Sequence, residues 1–94
     1  MTIKGTIISI SETQEFGTSG FYKKDLVLET EDQYPQKILI EFHKEKSDEL
    51  DNFVEGQVVT VSFNLKGKEW QSPQGETKFF NTIQGWKIEA EPLP

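Results

Sequence analysis

The sequence contains no cysteine and no arginine, and only one histidine. Without cysteine there is no disulfide framework, no thiolate nucleophile and no Cys-based metal site. Without arginine the chain lacks the bidentate fork that reads guanine edges, so sequence-specific duplex readout is not expected. Contact with phosphates through lysine stays open. The lone His43 is flanked by Lys44 and Glu45, with no strained turn presenting a serine. A Ser-His-Asp triad is therefore not expected, and His43 reads as a surface strand residue. Asp48, Glu49 and Asp51 lack the glycine and ligand pattern of a calcium loop. Residues 15–20, EFGTSG, read as a Gly/Ser/Thr turn, and the GTSG at 17–20 as a hairpin turn, not as a phosphate cradle. No apolar run approaches the ~18 residues of a membrane span. The opening MTIKGTIISI reads as a first strand, not as a signal peptide. These absences predict a cytoplasmic protein that is not an enzyme and needs no cofactor and no metal.

Acid dominates what is present. The 94 residues carry 16 acidic and 10 basic side chains, a net charge of −6. That balance counts against a general polyanion binder, but it is unevenly spread. Residues 45–55, EKSDELDNFVE, concentrate acids. Lys66 to Lys87, KGKEWQSPQGETKFFNTIQGWK, is net positive and holds both tryptophans and the Phe79-Phe80 pair. Lysines interleaved with aromatics on a hairpin suit stacked bases and a phosphate backbone. They are also where a small β-protein places packing aromatics.

The dominant period is two. Ile3–Ile10 predicts a first strand, with a bulge or bend at Gly5. Phe21–Thr30 predicts a second, with Leu26 and Leu28 inward. Gln36–His43 predicts a third, with Ile38, Ile40 and Phe42 inward. Ser47 then reads as an N-cap, Leu50, Phe53 and Val54 as one apolar stripe, and Gly56 as the residue after a helix of about two turns. Val58–Lys66 predicts a fourth strand with Val59, Val61, Phe63 and Leu65 inward. A turn follows at Ser72-Pro73-Gln74-Gly75, then a fifth strand, Phe79–Ile88. The order predicts an all-β, five-stranded OB-fold barrel with one short helix between strands three and four, spanning residues 1–89. Residues 90–94 read as a short polar tail. A small Greek-key or SH3-like barrel is the competing architecture; the helix position favours OB.

Parity then sorts the candidate contacts. Lys23, Lys37, Lys66, Lys68 and Lys78 are expected to track phosphates, and Trp70, Phe80, Phe21 and His43 to stack bases. Asp25 and Glu41 fall on the same face and repel phosphate. Trp86 is expected in the core, through a bulge near Gly85, together with one of Phe79 and Phe80. Tyr34, beside Pro35, reads as a turn-packing residue.

Three stretches carry a family resemblance. KILIEFHKEK, VEGQVVTVSFNLKGKEW and FFNTIQGWKIE resemble the third, fourth and fifth strands of bacterial and phage single-stranded-DNA-binding proteins. The Ile-Lys-Gly-Thr-Ile opening, the Leu-Glu-Thr…Gln-Tyr-Pro segment and the Gly-Trp-Lys-Ile-Glu ending resemble more closely a family of small, uncharacterised bacterial OB proteins. That resemblance covers Met1 to Glu89. It implies an OB barrel and suggests one that binds single-stranded DNA, or RNA, without sequence preference and away from membranes; edge strands and a small core point to a homodimer or tetramer. The outward aromatics of the DNA-binding family's third strand are replaced here by Lys37 and His43. The family's acidic, Phe-ending tip has no counterpart in the sequence, so its recruiting role is not implied. The alternative is an OB module whose hairpin inserts into a protein partner.

Overall fold

In a computed structural model, described for residues 1–17 and 20–91, the alternating segments form strands β1 (Thr2–Ile10), β2 (Gln14–Phe16), β3 (Phe21–Thr30), β4 (Lys37–His43), β5 (Val58–Gln71) and β6 (Thr77–Ala90). A helix α1 (Glu45–Asp48) runs into a 3-10 turn, Glu49–Asn52, between β4 and β5. The sheet order is β1-β5-β6-β4-β3-β2, and β1 also pairs with β3. That last pairing closes five strands into a barrel. One seam is parallel and short: β4 meets β6 only through Glu41–Gln84 and Phe42–Gly85. This is the OB architecture.

Burial follows strand parity where a strand has the barrel behind it. Ile7, Leu26, Leu28, Ile40, Phe42, Leu50, Val59, Val61 and Ile88 make the core. Phe42 lies at the parallel seam, and Gly85 is there because nothing larger fits. A Cβ at Gly85 would collide with the Phe42 ring. Gly5 is not a bulge. It lets β1 pass close to β3, where a Cβ would meet the Glu29 carbonyl oxygen at 2.5 Å. The bulge in β1 falls later, at Ile8, where the register with β3 shifts between Ile7 and Ser9.

The helical segment sits where the sequence predicts it, but its ends differ. Ser47 is not the N-cap; it is buried inside α1, and its hydroxyl donates to the Lys44 carbonyl at 2.6 Å. The chain enters α1 through Lys44, at a positive φ of 51. Leu50 plugs the barrel and Phe53 packs against the core. Val54 is exposed, because the turn has already ended in extended backbone at Phe53. Gly56 therefore belongs to the following turn and not to the helix end. Tyr22 donates to Asp48 at 3.3 Å, and Lys24 pairs with Asp51, fastening the segment to β3.

Trp86, Leu65 and one of Phe79 and Phe80 are expected inward, and none of them is in the core. Phe79 and Phe80 are both exposed, since β5 and β6 extend past the barrel and leave no core behind them. Trp86 is exposed because the bulge near Gly85 takes it as the extra residue: Ser62 pairs with Lys87 and Phe63 with Gly85. The bulge turns Trp86 out and brings Ile88 in. Leu65 is exposed for the same reason as the phenylalanines, and Tyr34 stands largely in solvent. At the C-terminal end β6 runs through Ala90, and the Glu91 N–H donates to the Val58 carbonyl at 3.0 Å. Of the GTSG turn, residues 18 and 19 lie outside the described residues, as do 92–94 of the tail. No helix among the described residues is long and apolar enough to cross a membrane.

Candidate nucleic-acid interface

Beyond residue 64, β5 and β6 form an arm that no other strand covers. Its turn is built as the sequence indicates. The Ser72 N–H donates to the Glu76 carbonyl at 2.8 Å, and the Glu76 N–H to the Ser72 hydroxyl at 3.0 Å. Antiparallel register puts directly opposed residues on one face. Lys66 opposes Thr82, Lys68 opposes Phe80, and Trp70 opposes Lys78. These six residues share the front of the arm. Phe80 and Trp70 are about half exposed there. Lys68, Trp70, Lys78 and Phe80 line an open hollow of about 440 Å³. Among the described residues, Lys66, Lys68 and Lys78 have no ion-pair partner.

The front of the arm continues onto the barrel across the parallel seam. Glu41, His43, Lys66, Phe80, Thr82 and Gln84 line a second cleft of about 320 Å³. Beyond it the aromatic row resumes. Phe21 meets His43 edge-on at 5.1 Å between centroids, and Phe16 meets Phe21 at 5.9 Å. Phe16 escapes the sequence reading because EFGTSG reads as a turn; its spacing before a Gly-Thr-Ser-Gly turn, with Phe21 after it, is the signal of a paired hairpin end.

The electrostatics of the two halves differ. On the barrel, Lys23 Nζ lies 3.0 Å from Glu41 Oε1 and 3.6 Å from Asp25 Oδ1. The longer contact is an ion pair and not a hydrogen bond, so buried Asp25 Oδ1 lacks a hydrogen-bond partner. Asp25 Oδ2 accepts from Gln14 at 3.1 Å. Burial favours the neutral amine of Lys23, but its hydrogen bond to Glu41 and the charges of Asp25 and Glu41 outweigh that and raise its pKa. Burial likewise pushes the Glu41 carboxyl up. Hydrogen bonds from His43, at 3.1 Å, and from Lys23 outweigh it and hold Glu41 below the usual carboxylate range. Lys23 is thus neutralised locally.

Of the nine sequence candidates, Lys66, Lys68, Trp70, Lys78 and Phe80 come together on the arm. His43 and Phe21 extend them onto the barrel, and Lys23 joins as an ion-paired residue. Lys37 stands apart. It shares the outward face of β4 with His43 but sits six residues away, about 20 Å along the strand, opposite Glu29. Among the described residues no group of acidic, histidine or cysteine side chains is arranged to hold a metal ion.

The sequence model of one family matches residues 2–89, nearly the whole chain. The chain belongs to that family, described as Domain of unknown function (DUF3127). No curated protein matches this DUF3127 chain in sequence. Among solved structures it is similar to the crystal structure of Rim1, a mitochondrial single-stranded DNA binding protein from S. cerevisiae. The TM-score is 0.68 at 19% identity, over 96% of this chain and 91% of that one. At that identity the likeness is one of fold, and it agrees with the OB topology of the DUF3127 barrel.

Proposed function

We propose that the chain is a binding protein, not an enzyme, and that it holds single-stranded DNA, or RNA, along the front of the arm and across the parallel seam. One observation carries this: three lysines without an ion-pair partner among the described residues share a single continuous face with two half-exposed aromatic rings. Phosphates would run past Lys66, Lys68 and Lys78, and bases would stack on Trp70 and Phe80, then toward His43 and Phe21. Stacking is worth about 1–3 kcal/mol per base and tolerates any sequence. Similarity in fold to a single-stranded DNA binding protein supports the same reading. Self-association as a homodimer or tetramer forms part of it, supported by Leu65 and Phe79, which lie exposed on the back of the arm.

The test is a titration of labelled single-stranded oligonucleotide at several salt concentrations, read by tryptophan quenching. Single strands lose affinity with a log–log slope of about −0.7 per neutralised phosphate. The three arm lysines give about −2; engagement of Lys23 and Lys37 as well would give about −3.5. No quenching at low salt would sink the proposal and favour a protein-interaction module.

A further inference from the structure

The cleft at the parallel seam is unlike the arm beside it. Its lining includes a carboxylate and an amide, Glu41 and Gln84, set side by side by the register of β4 and β6. Phe80, His43 and Lys66 line it as well. A carboxylate in the lining repels phosphate, so phosphate contact does not account for it.

Glu41 is already half engaged. Both Lys23 and His43 contact Oε1, at 3.0 and 3.1 Å. Among the described residues no hydrogen bond or ion pair engages Oε2. Those same contacts keep the group ionised at neutral pH, and an ionised carboxylate only accepts. The amide of Gln84 both donates and accepts. The pair therefore suits a planar ligand with an amino donor beside a second polar position, a donor not flanked by acceptors on both sides. Cytosine, adenine and guanine present an exocyclic amino group. Thymine and uracil present carbonyl oxygens on either side of their one ring N–H, and a carboxylate repels these.

We propose that this cleft is a base-selecting subsite, in which Glu41 accepts an N–H from an amino-bearing base while Gln84 answers the neighbouring ring position, and thymine and uracil are disfavoured. It rests on the single-strand reading and adds to it one position where the sequence-tolerant face discriminates. Glu41 acts as the specificity-determining residue. Its charge costs overall affinity for phosphate and returns selectivity among bases.

The experiment compares oligo(dC) with oligo(dT) of equal length, by anisotropy of an end label at one salt concentration. A mildly alkaline buffer keeps cytosine unprotonated. A hydrogen bond of ordinary net strength predicts oligo(dC) binding about two- to tenfold tighter. Glu41→Gln should bring the ratio toward one and tighten oligo(dT), since the repelling charge is gone and Lys23 is released. Equal binding, or tighter binding of oligo(dT) by the wild-type chain, overturns the subsite and leaves the single-strand reading standing. Absence of binding to either oligonucleotide overturns both. The wild-type ratio decides the matter even if Glu41→Gln fails to fold.

Discussion

In the inner half of β5 and β6, alternate residues divide between core and solvent; in the outer half they divide between two solvent faces. Val59 and Val61 are fully buried, whereas Leu65, on the same parity, is exposed. Ile88 is buried, whereas Phe79 and Phe80 both stand in water. The strand pattern is continuous and the register unbroken from Phe63 to Gln71. What changes is whether β1, β4 and the helical segment lie behind the sheet. Alternation reports two faces, and only the surrounding elements decide what each face meets.

The largest effects should come from the inner half. Phe42→Ala removes the ring that fills the seam and should cost about 3–5 kcal/mol in denaturant unfolding. Gly85→Ala forces a methyl into that ring and should cost about 1–3 kcal/mol. If either is silent, the seam is looser than its geometry and the contrast with the arm is lost. On the arm, Trp70→Ala should change stability by no more than about 0.5 kcal/mol. Its effect belongs to binding: loss of one stacked base predicts weakening of about five- to 100-fold. A Trp70→Ala chain that unfolds would show the arm to be structural after all.

The smallest effect concerns Glu41, which stands between the two halves. Its folded pKa lies below the ordinary value of 4.5. Its contribution to stability is therefore complete above that value and fades as pH falls through the folded one. The Lys23 pKa is raised above 10.5, so its contribution is complete below 10.5 and fades only in more alkaline solution. Glu41→Gln should flatten the acid limb of the stability profile below about pH 4.5, leaving neutral pH as its plateau. An unchanged acid limb would mean the Lys23–Glu41–His43 cluster stabilises nothing.

The barrel was readable because period-two alternation, one short helix at a fixed place in the order and a Ser-Pro-Gln-Gly turn are local signals. The arm lysines and Trp70 were readable from parity alone, since cross-strand partners share a face whether or not a core lies beneath. Trp86 was not, because a bulge shifts parity and the sequence does not say which residue it ejects. Parity put Lys23 and Glu41 on one face, but their ion pair was not readable, because it depends on the β3–β4 register. Phe16 was hidden in a segment whose composition signals a turn.

The first strand also ties the molecule to its order of synthesis. β1 pairs with β3 on one side and with β5 on the other, Thr2 meeting Ser62. As the chain emerges from a ribosome, β1, β3 and β4 can form a meander, but one flank of β1 stays unpaired until Val58–Ser62 is exposed. Ring closure is therefore a late, long-range step, and such steps set slow folding rates. The helical segment, which brings Leu50 into the core, lies between β4 and that closing strand in chain order.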